Sequence, residues 1–223
     1  MAITVTIQPD SSQGIDTYIS QAAATTNYGT ATTMTIGRVA TSNFLRALIR
    51  FDLNLFIPRK AILIEPCLLQ LYITEAEAGG TQYPYQGIIG IKNEWVENEA
   101  TWNIRKTGIN WLTAGIFVNT DDILGYYGEN ADRTGLMASY KAGASPINAV
   151  GWITFQVFAS YLENMRQGKN YGFCIYAIHG TDGENWSCAS SDNATVANRP
   201  KLTITYEPYH KIFPISAGLG QVR

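Results

Sequence analysis

Apolar and polar residues alternate with a period of two in short runs along most of the chain, the pattern of strands with one buried face. Residues 3–7 (ITVTI), 17–20 (TYIS) and the end of 25–37 (TTNYGTATTMTIG) read as strands, with Asn-Tyr-Gly supplying a turn in the last. Residues 45–52 (LRALIRFD) place Leu45, Ala47, Ile49 and Phe51 on one face and Arg46, Leu48, Arg50 and Asp52 on the other, as on a half-buried strand. A turn at Pro58 precedes a strong strand over 62–74 (ILIEPCLLQLYIT), which closes at Gly79 and Gly80. Further strands are predicted at 87–93 (GIIGIKN), 115–119 (GIFVN), 151–155 (GWITF), 171–178 (YGFCIYAI), 186–190 (WSCAS) and 201–206 (KLTITY). Both faces of 171–178 are apolar, so that strand is expected at the centre.

Only one stretch breaks the period. Val157, Phe158, Tyr161, Leu162 and Met165 follow helical spacing, and Gly168 is a stop signal, so one short helix is expected there. The pattern weakens between 103 and 150. Many short strands, turns between them and a single helix predict an all-β chain, a jelly-roll-like antiparallel β-sandwich. No repeat of 20–50 residues marks a propeller or solenoid. We expect one sandwich domain over 1–206 and a C-terminal extension over 207–223. The extension carries Ile212, Phe213, Ile215 and Leu219 outside the strand pattern, which suits a docking arm.

Composition sharpens this picture modestly. The chain has 223 residues, of which 46% are hydrophobic and 15% charged, and 13 are Tyr, a balance that favours strands over long solvated helices. A net charge of -2 gives no reason to expect nucleic acid as a partner. No apolar run is long enough to insert in a membrane, and the N-terminus (MAITVTIQPD) carries no secretory-signal pattern. The three cysteines, Cys67, Cys174 and Cys188, match neither a disulfide framework nor a zinc site. Cys67 and Cys174 read as core thiols, with a Cys174–Cys188 bridge as the alternative.

Candidate chemistry centres on WVENEATW, Trp95 to Trp102. In an extended segment Glu97 and Glu99 would sit about 6.6 Å apart at Cα, a spacing compatible with a glycosidase pair. Their side chains would point the same way, however, so a substrate would lie across them rather than between them. A structural corner is the better reading: two buried indoles, with Glu97 tying a loop by hydrogen bonds or an Arg pair. No catalytic residues are expected. His179 and His210 are far apart in sequence, and no nucleophile motif accompanies them. Asp121 with Asp122, or Asp182 with Glu184 and Asp192, could offer oxygen to a structural Ca²⁺, though without EF-hand spacing; no other cofactor is expected. Arg46 and Arg50 are expected to pair with acids of the sheet. Asn185 and Asn193 begin sequons (NWS, NAT) that read as chance occurrences. Aromatics in turns are candidates for glycan or partner binding: Tyr83 and Tyr85 around Pro84, Tyr126 and Tyr127, and Trp186 after Gly-Glu-Asn.

Five stretches in order resemble one family. They are DTYIS (16–20) with NYGTATTMTIG (27–37); RALIRFDL (46–53); WVENEATWN (95–103); GWITFQVFASYLENMRQGKNYGFCI (151–175); and ASSDNATVANRPKLTITY (189–206). Together they resemble the DNRLRE domain family, also grouped as carbohydrate-binding module family 96, over roughly 15–206. The resemblance implies a jelly-roll-like sandwich without catalytic machinery, found on secreted carbohydrate-active enzymes, cell-surface proteins and phage structural proteins, with polysaccharide binding in some members. Three functions fit these features. The first is a non-enzymatic, homo-oligomeric part of a virion or extracellular surface assembly, such as a phage capsid decoration, head-fibre or tail component, bound to other protein subunits and able to hold glycan. The second is a free-standing carbohydrate-binding module that recognises a polysaccharide. The third is a hydrolase, which would need acids brought together from different strands.

Overall fold

The structure is a computed structural model that describes residues 1–10, 14–76, 87–116, 147, 149–169, 171–177 and 182–208, and the backbone of 86 and of 133–140. Thirteen strands and one α-helix follow one another within it: β1 (Ile3–Ile7), β2 (Ile15–Ser20), β3 (Thr33–Ala40), β4 (Asn43–Arg50), β5 (Ile62–Glu75), β6 (Gln86–Ile91), β7 (Ile104–Lys106), β8 (Ile109–Asn110), β9 (Arg133–Tyr140), β10 (Gly151–Val157), α1 (Ala159–Arg166), β11 (Phe173–Ala177), β12 (Asn185–Ala189) and β13 (Lys201–Glu207).

Eleven strands form one antiparallel sheet that curls on itself into a sandwich-like half-barrel, in the order β1-β13-β5-β12-β3-β4-β11-β6-β9, with β10 also on β5 and β2 also on β4. β7 and β8 form a separate hairpin. Alternation sets the register. Along β5, Cys67, Leu69, Leu71 and Ile73 point inward, opposite Phe155 and Val157 of β10 and Leu202 and Ile204 of β13. Three residues of β5, Glu65 to Cys67, face Ile204 alone, because pairing shifts from Thr203↔Leu68 to Thr205↔Ile64. Pro66 has no N–H for the ladder, and a bulge is where a strand tolerates it.

The helix packs one face on this core through Ala159, Leu162 and Met165. Its first N–H, on Ala159, donates to the carboxylate of Glu65 at 2.5 Å, so an acid from β5 caps the positive end of the helix. It ends at Arg166 with Gln167 as its cap, and Gly168 follows at a φ of +68°, which suits only glycine without strain. Phe158 and Val157 lie outside the helix; the strand runs to Val157 and only then turns.

A second apolar cluster lies on the other face of β4, β6 and β11, where Leu48, Ile89, Ile91, Cys174 and Tyr176 meet Trp95, Trp102, Trp111 and Ile116. This corrects the half-buried reading of β4. Arg46 is 5% exposed and Leu48 is fully buried, because the excursion over 92–116 covers that face. The fully apolar β11 is central, between β4 and β6, as its sequence indicates. Residues 114–116 are not the start of a strand: Gly115 and Ile116 have φ of +74° and +65° in a tight turn. All three cysteines are buried free thiols, so the alternative Cys174–Cys188 bridge is absent. Burial pushes the Cys67 thiol up to about 12 and raises that of Cys188 as well, which leaves both inert as nucleophiles at neutral pH.

Candidate functional site

The excursion over 92–116 is built around three indoles. Trp95 Nε1 donates to the Tyr171 carbonyl at 2.7 Å, and Trp111 Nε1 donates to the Thr101 carbonyl at 2.9 Å. The Arg46 guanidinium lies 4.7 Å from the ring centroid of Trp102 and donates to the Gly115 carbonyl. A cation on an indole face keeps a buried charge solvated by π electrons and a carbonyl dipole. Lys106 pairs with Glu94 at 2.8 Å and holds its carboxyl below the usual range, and the Arg50 charge adds to that lowering.

The segment between the indoles is a turn, not an extended strand. Glu99 and Ala100 donate their N–H groups to the Val96 carbonyl at 3.1 and 2.8 Å. Asn27 Nδ2 ties the turn down from the adjoining loop, donating to the carbonyls of Glu97 (2.7 Å) and Ala100 (2.8 Å). Each glutamate then serves a different backbone group. Glu97 Oε1 accepts the Asp16 N–H at 2.8 Å, and Glu99 Oε2 accepts the Thr107 N–H at 2.6 Å. The two side chains are spent on separate latches, as the structural-corner reading expects.

Asp16 extends the latch. Its Oδ2 accepts the Ser191 N–H at 2.8 Å, which joins β2 to the loop before β13. Burial, opposed by that hydrogen bond, pushes the Asp16 carboxyl up to about 7, and the nearby Glu97 and Asp192 charges add to the rise. Burial also raises Glu97, against the lowering effect of the Asp16 N–H.

Beside this corner the hairpin β7–β8 opens a depression of about 470 Å³, lined by Thr25, Thr101, Asn103, Ile104, Asn110, Trp111 and Ala114. Asn103, Asn110 and Thr25 are exposed at its rim. Trp111 is only 4% exposed, so it offers the depression a small part of its ring and no open stacking surface. The Thr101 hydroxyl already accepts from the N–H groups of Asn103 and Ile104, which fixes the floor. Two carboxamides and a hydroxyl around an apolar patch offer donors and acceptors without a formal charge, which suits neutral hydroxyl-bearing ligands.

The residues expected at a binding site fall out differently. Tyr83, Tyr85, Tyr126 and Tyr127 lie outside the described residues, as do Ile212, Phe213, Ile215 and Leu219 of the extension, His179 and His210, and Asp121 and Asp122. Trp186 is described, and it is no surface aromatic. It sits on β12 opposite Ile36, points into the main core and is 1% exposed. The turn before it ends one residue earlier than its Gly-Glu-Asn suggests. Asp182 is engaged by Arg38 at 2.8 Å and by the Thr41 hydroxyl at 2.7 Å, and Glu184 is buried. Among the described residues no group of three or more His, Cys, Asp and Glu is placed to hold a metal ion. Asn103, Asn110 and Thr25 carried no signal of their own in the sequence, since polar loop residues have no period.

A β-sandwich that carries an open, uncharged depression on a rigid tryptophan corner has the architecture of a binding module. The chain belongs to carbohydrate-binding module family 96, whose model matches residues 8–122, just over half of its length. That match is shorter than the resemblance, and the stretches over 151–175 and 189–206 lie beyond it. A search of curated protein sequences finds no match. No helix among the described residues is long and apolar enough to cross a membrane.

Proposed function

We propose that this chain is a non-catalytic module that binds polysaccharide through the depression beside β7 and β8. The observation that carries the reading is coincidence of place: every residue lining the depression falls within the segment matched by the family. The chemistry supports it. Asn103 and Asn110 can each donate to and accept from neighbouring sugar hydroxyls, and Ile104 with the small exposed part of Trp111 gives an apolar contact for a pyranose C–H face. Each such hydrogen bond replaces one to water and contributes only about 0.5–1.5 kcal/mol. A shallow site of this kind is expected to bind with Kd on the order of 0.1–1 mM, about -4 to -5.5 kcal/mol.

Affinity electrophoresis of the full chain through gels that contain neutral or uronate-bearing polysaccharides tests the reading. Retardation in at least one gel is expected, and unchanged mobility in all of them would sink it. The narrower placement in a virion or extracellular assembly, with other protein subunits as partners, rests on the sequence of the C-terminal extension. Glycan binding and such an assembly role are compatible.

A further inference from the structure

The sheet has a second surface with unexplained chemistry. The outer face of β10, β5 and β13 is turned away from the core, and its inward alternates (Ile153, Leu71, Phe155, Leu69, Leu202) supply the packing. A solvated face of this kind is expected to be polar. Register sets Thr154, Gln70 and Lys201 in one row across three strands, with Gln70 Nε2 donating to Thr154 Oγ1 at 3.3 Å. The next row breaks the polar pattern. Trp152 stands opposite Tyr72 and is 39% exposed.

The indole is held without being buried. Its ring meets that of Tyr72 edge to face, with centroids 5.4 Å apart and planes at 76°. The Lys201 ammonium sits 4.0 Å from its centroid. Both contacts fix the ring before any ligand arrives, which lowers the ordering cost of binding. The sandwich does not need a tryptophan here, since Ile153 and Phe155 on the same strand do the packing.

We propose that this face is a second carbohydrate site, which takes an extended polysaccharide chain lying flat across β10, β5 and β13, with a sugar against Trp152 and hydrogen bonds from Gln70 and Thr154. The proposal rests on the carbohydrate-binding reading of the family. The occupant follows from shape and chemistry. Neighbouring strands lie about 4.8 Å apart and alternate residues about 7 Å apart, so on the outer side of the curled sheet the rows form an open, gently twisted surface without walls. Small ligands need concavity. A protein partner needs an apolar centre built from several residues, whereas the indole is surrounded in these two rows by Tyr72, Gln70, Thr154 and Lys201; Leu68, Ile64 and the exposed Ile62 share the face but stand in other rows along β5. A polymer of flat, hydroxyl-rich rings meets both the open surface and its polar surround.

The test is depletion of the full chain from solution by microcrystalline cellulose, chitin and insoluble xylan, with affinity electrophoresis for soluble uronans. Trp152→Ala and Thr154→Arg are compared with wild type and with Asn103→Ala/Asn110→Ala. The expected result is about a tenfold weaker hold on at least one polysaccharide for both face variants, with thermal unfolding unchanged for Thr154→Arg. The depression variant should keep that binding. If Trp152→Ala fails to fold, Thr154→Arg, which only adds bulk and charge at an exposed position, carries the test. Binding by wild type that survives in both face variants overturns this site and leaves the depression standing. Binding by wild type to none of the polymers overturns this site and the carbohydrate reading together.

Discussion

The carboxylate of Glu97 accepts the backbone N–H of Asp16 at 2.8 Å, across 81 residues of chain. Asp16 in turn accepts the N–H of Ser191. Two acids in series thus pin the tryptophan corner to β2, and β2 to the loop that leads into β13. Glu97 has the sequence setting of a catalytic acid and the position of a latch.

Replacing Glu97 by alanine strands the Asp16 N–H in a partly buried place. The expected cost is about 1–3 kcal/mol, or a fall in Tm of about 2–4 °C per kcal/mol for a domain of this size. Glu97→Gln keeps an acceptor and should cost clearly less. Thermal unfolding of the two variants decides the matter. Equal losses would mean that the charge, not the acceptor, holds the latch.

The raised Asp16 carboxyl makes stability depend on pH. Its folded value, about 7, lies above the ordinary 3.8, so the folded state holds this proton more tightly than the unfolded chain does. The stabilising contribution is complete below the unfolded value and is lost as pH rises from about 4 through about 7. Glu97 is raised too and acts in the same sense. Each unit of difference corresponds to about 1.4 kcal/mol. Urea midpoints of wild type should therefore fall between pH 5 and pH 8, and Asp16→Asn should flatten that slope. A slope that survives the substitution would assign it to other groups.

Gly115 holds the far end of the excursion. Its φ is +74°, and a Cβ there would run into the Trp102 ring that stacks on Arg46. Gly115→Ala combines a left-handed backbone cost of about 1–2 kcal/mol with that clash. The expected outcome is a loss of stability larger than that of Glu97→Gln. Near-UV circular dichroism should report the displaced tryptophans. An unchanged spectrum and Tm would show that the turn is not pinned by Trp102.

Much of this fold is legible in the sequence, for a physical reason. Period-two alternation marks β5, β10, β11 and β13 because each packs at least one face on a continuous core, and helical spacing marks α1. Arg46 misleads because its cover is not local: a polar residue on an alternating strand reads as exposed until the excursion over 92–116 closes over it. Trp186 misleads by one residue, since the turn chemistry of Gly183 and Glu184 adjoins a strand that begins at Asn185. The hairpin β7–β8 and strand β9 lack strong alternation, and β7 and β8 span three and two residues. The depression is a tertiary product: Thr25, Asn103 and Asn110 acquire meaning only when the corner brings them together. Trp152 reads as a strand residue from the sequence, but its exposure follows from register with Tyr72, which sequence alone does not supply.

The C-terminal extension is proposed as a docking arm. β13 runs to Glu207, paired with Ile62, so the cut that spares the sheet falls after residue 208. Removal of 209–223 should leave thermal unfolding of the sandwich intact and convert any oligomer into monomer. Size-exclusion chromatography with light scattering reads this directly. A truncated chain that assembles as the full chain does would rule out the arm.

The central claim is that the depression beside β7 and β8 binds carbohydrate. A glycan array probed with the full chain and with Asn103→Ala/Asn110→Ala, matched for thermal stability, tests it most directly. Retention of wild type on a defined set of glycans, weakened about tenfold or more on at least one of them in the double variant, is the expected result. A wild-type chain that binds no glycan, or a double variant that binds every one of them as wild type does, would contradict it.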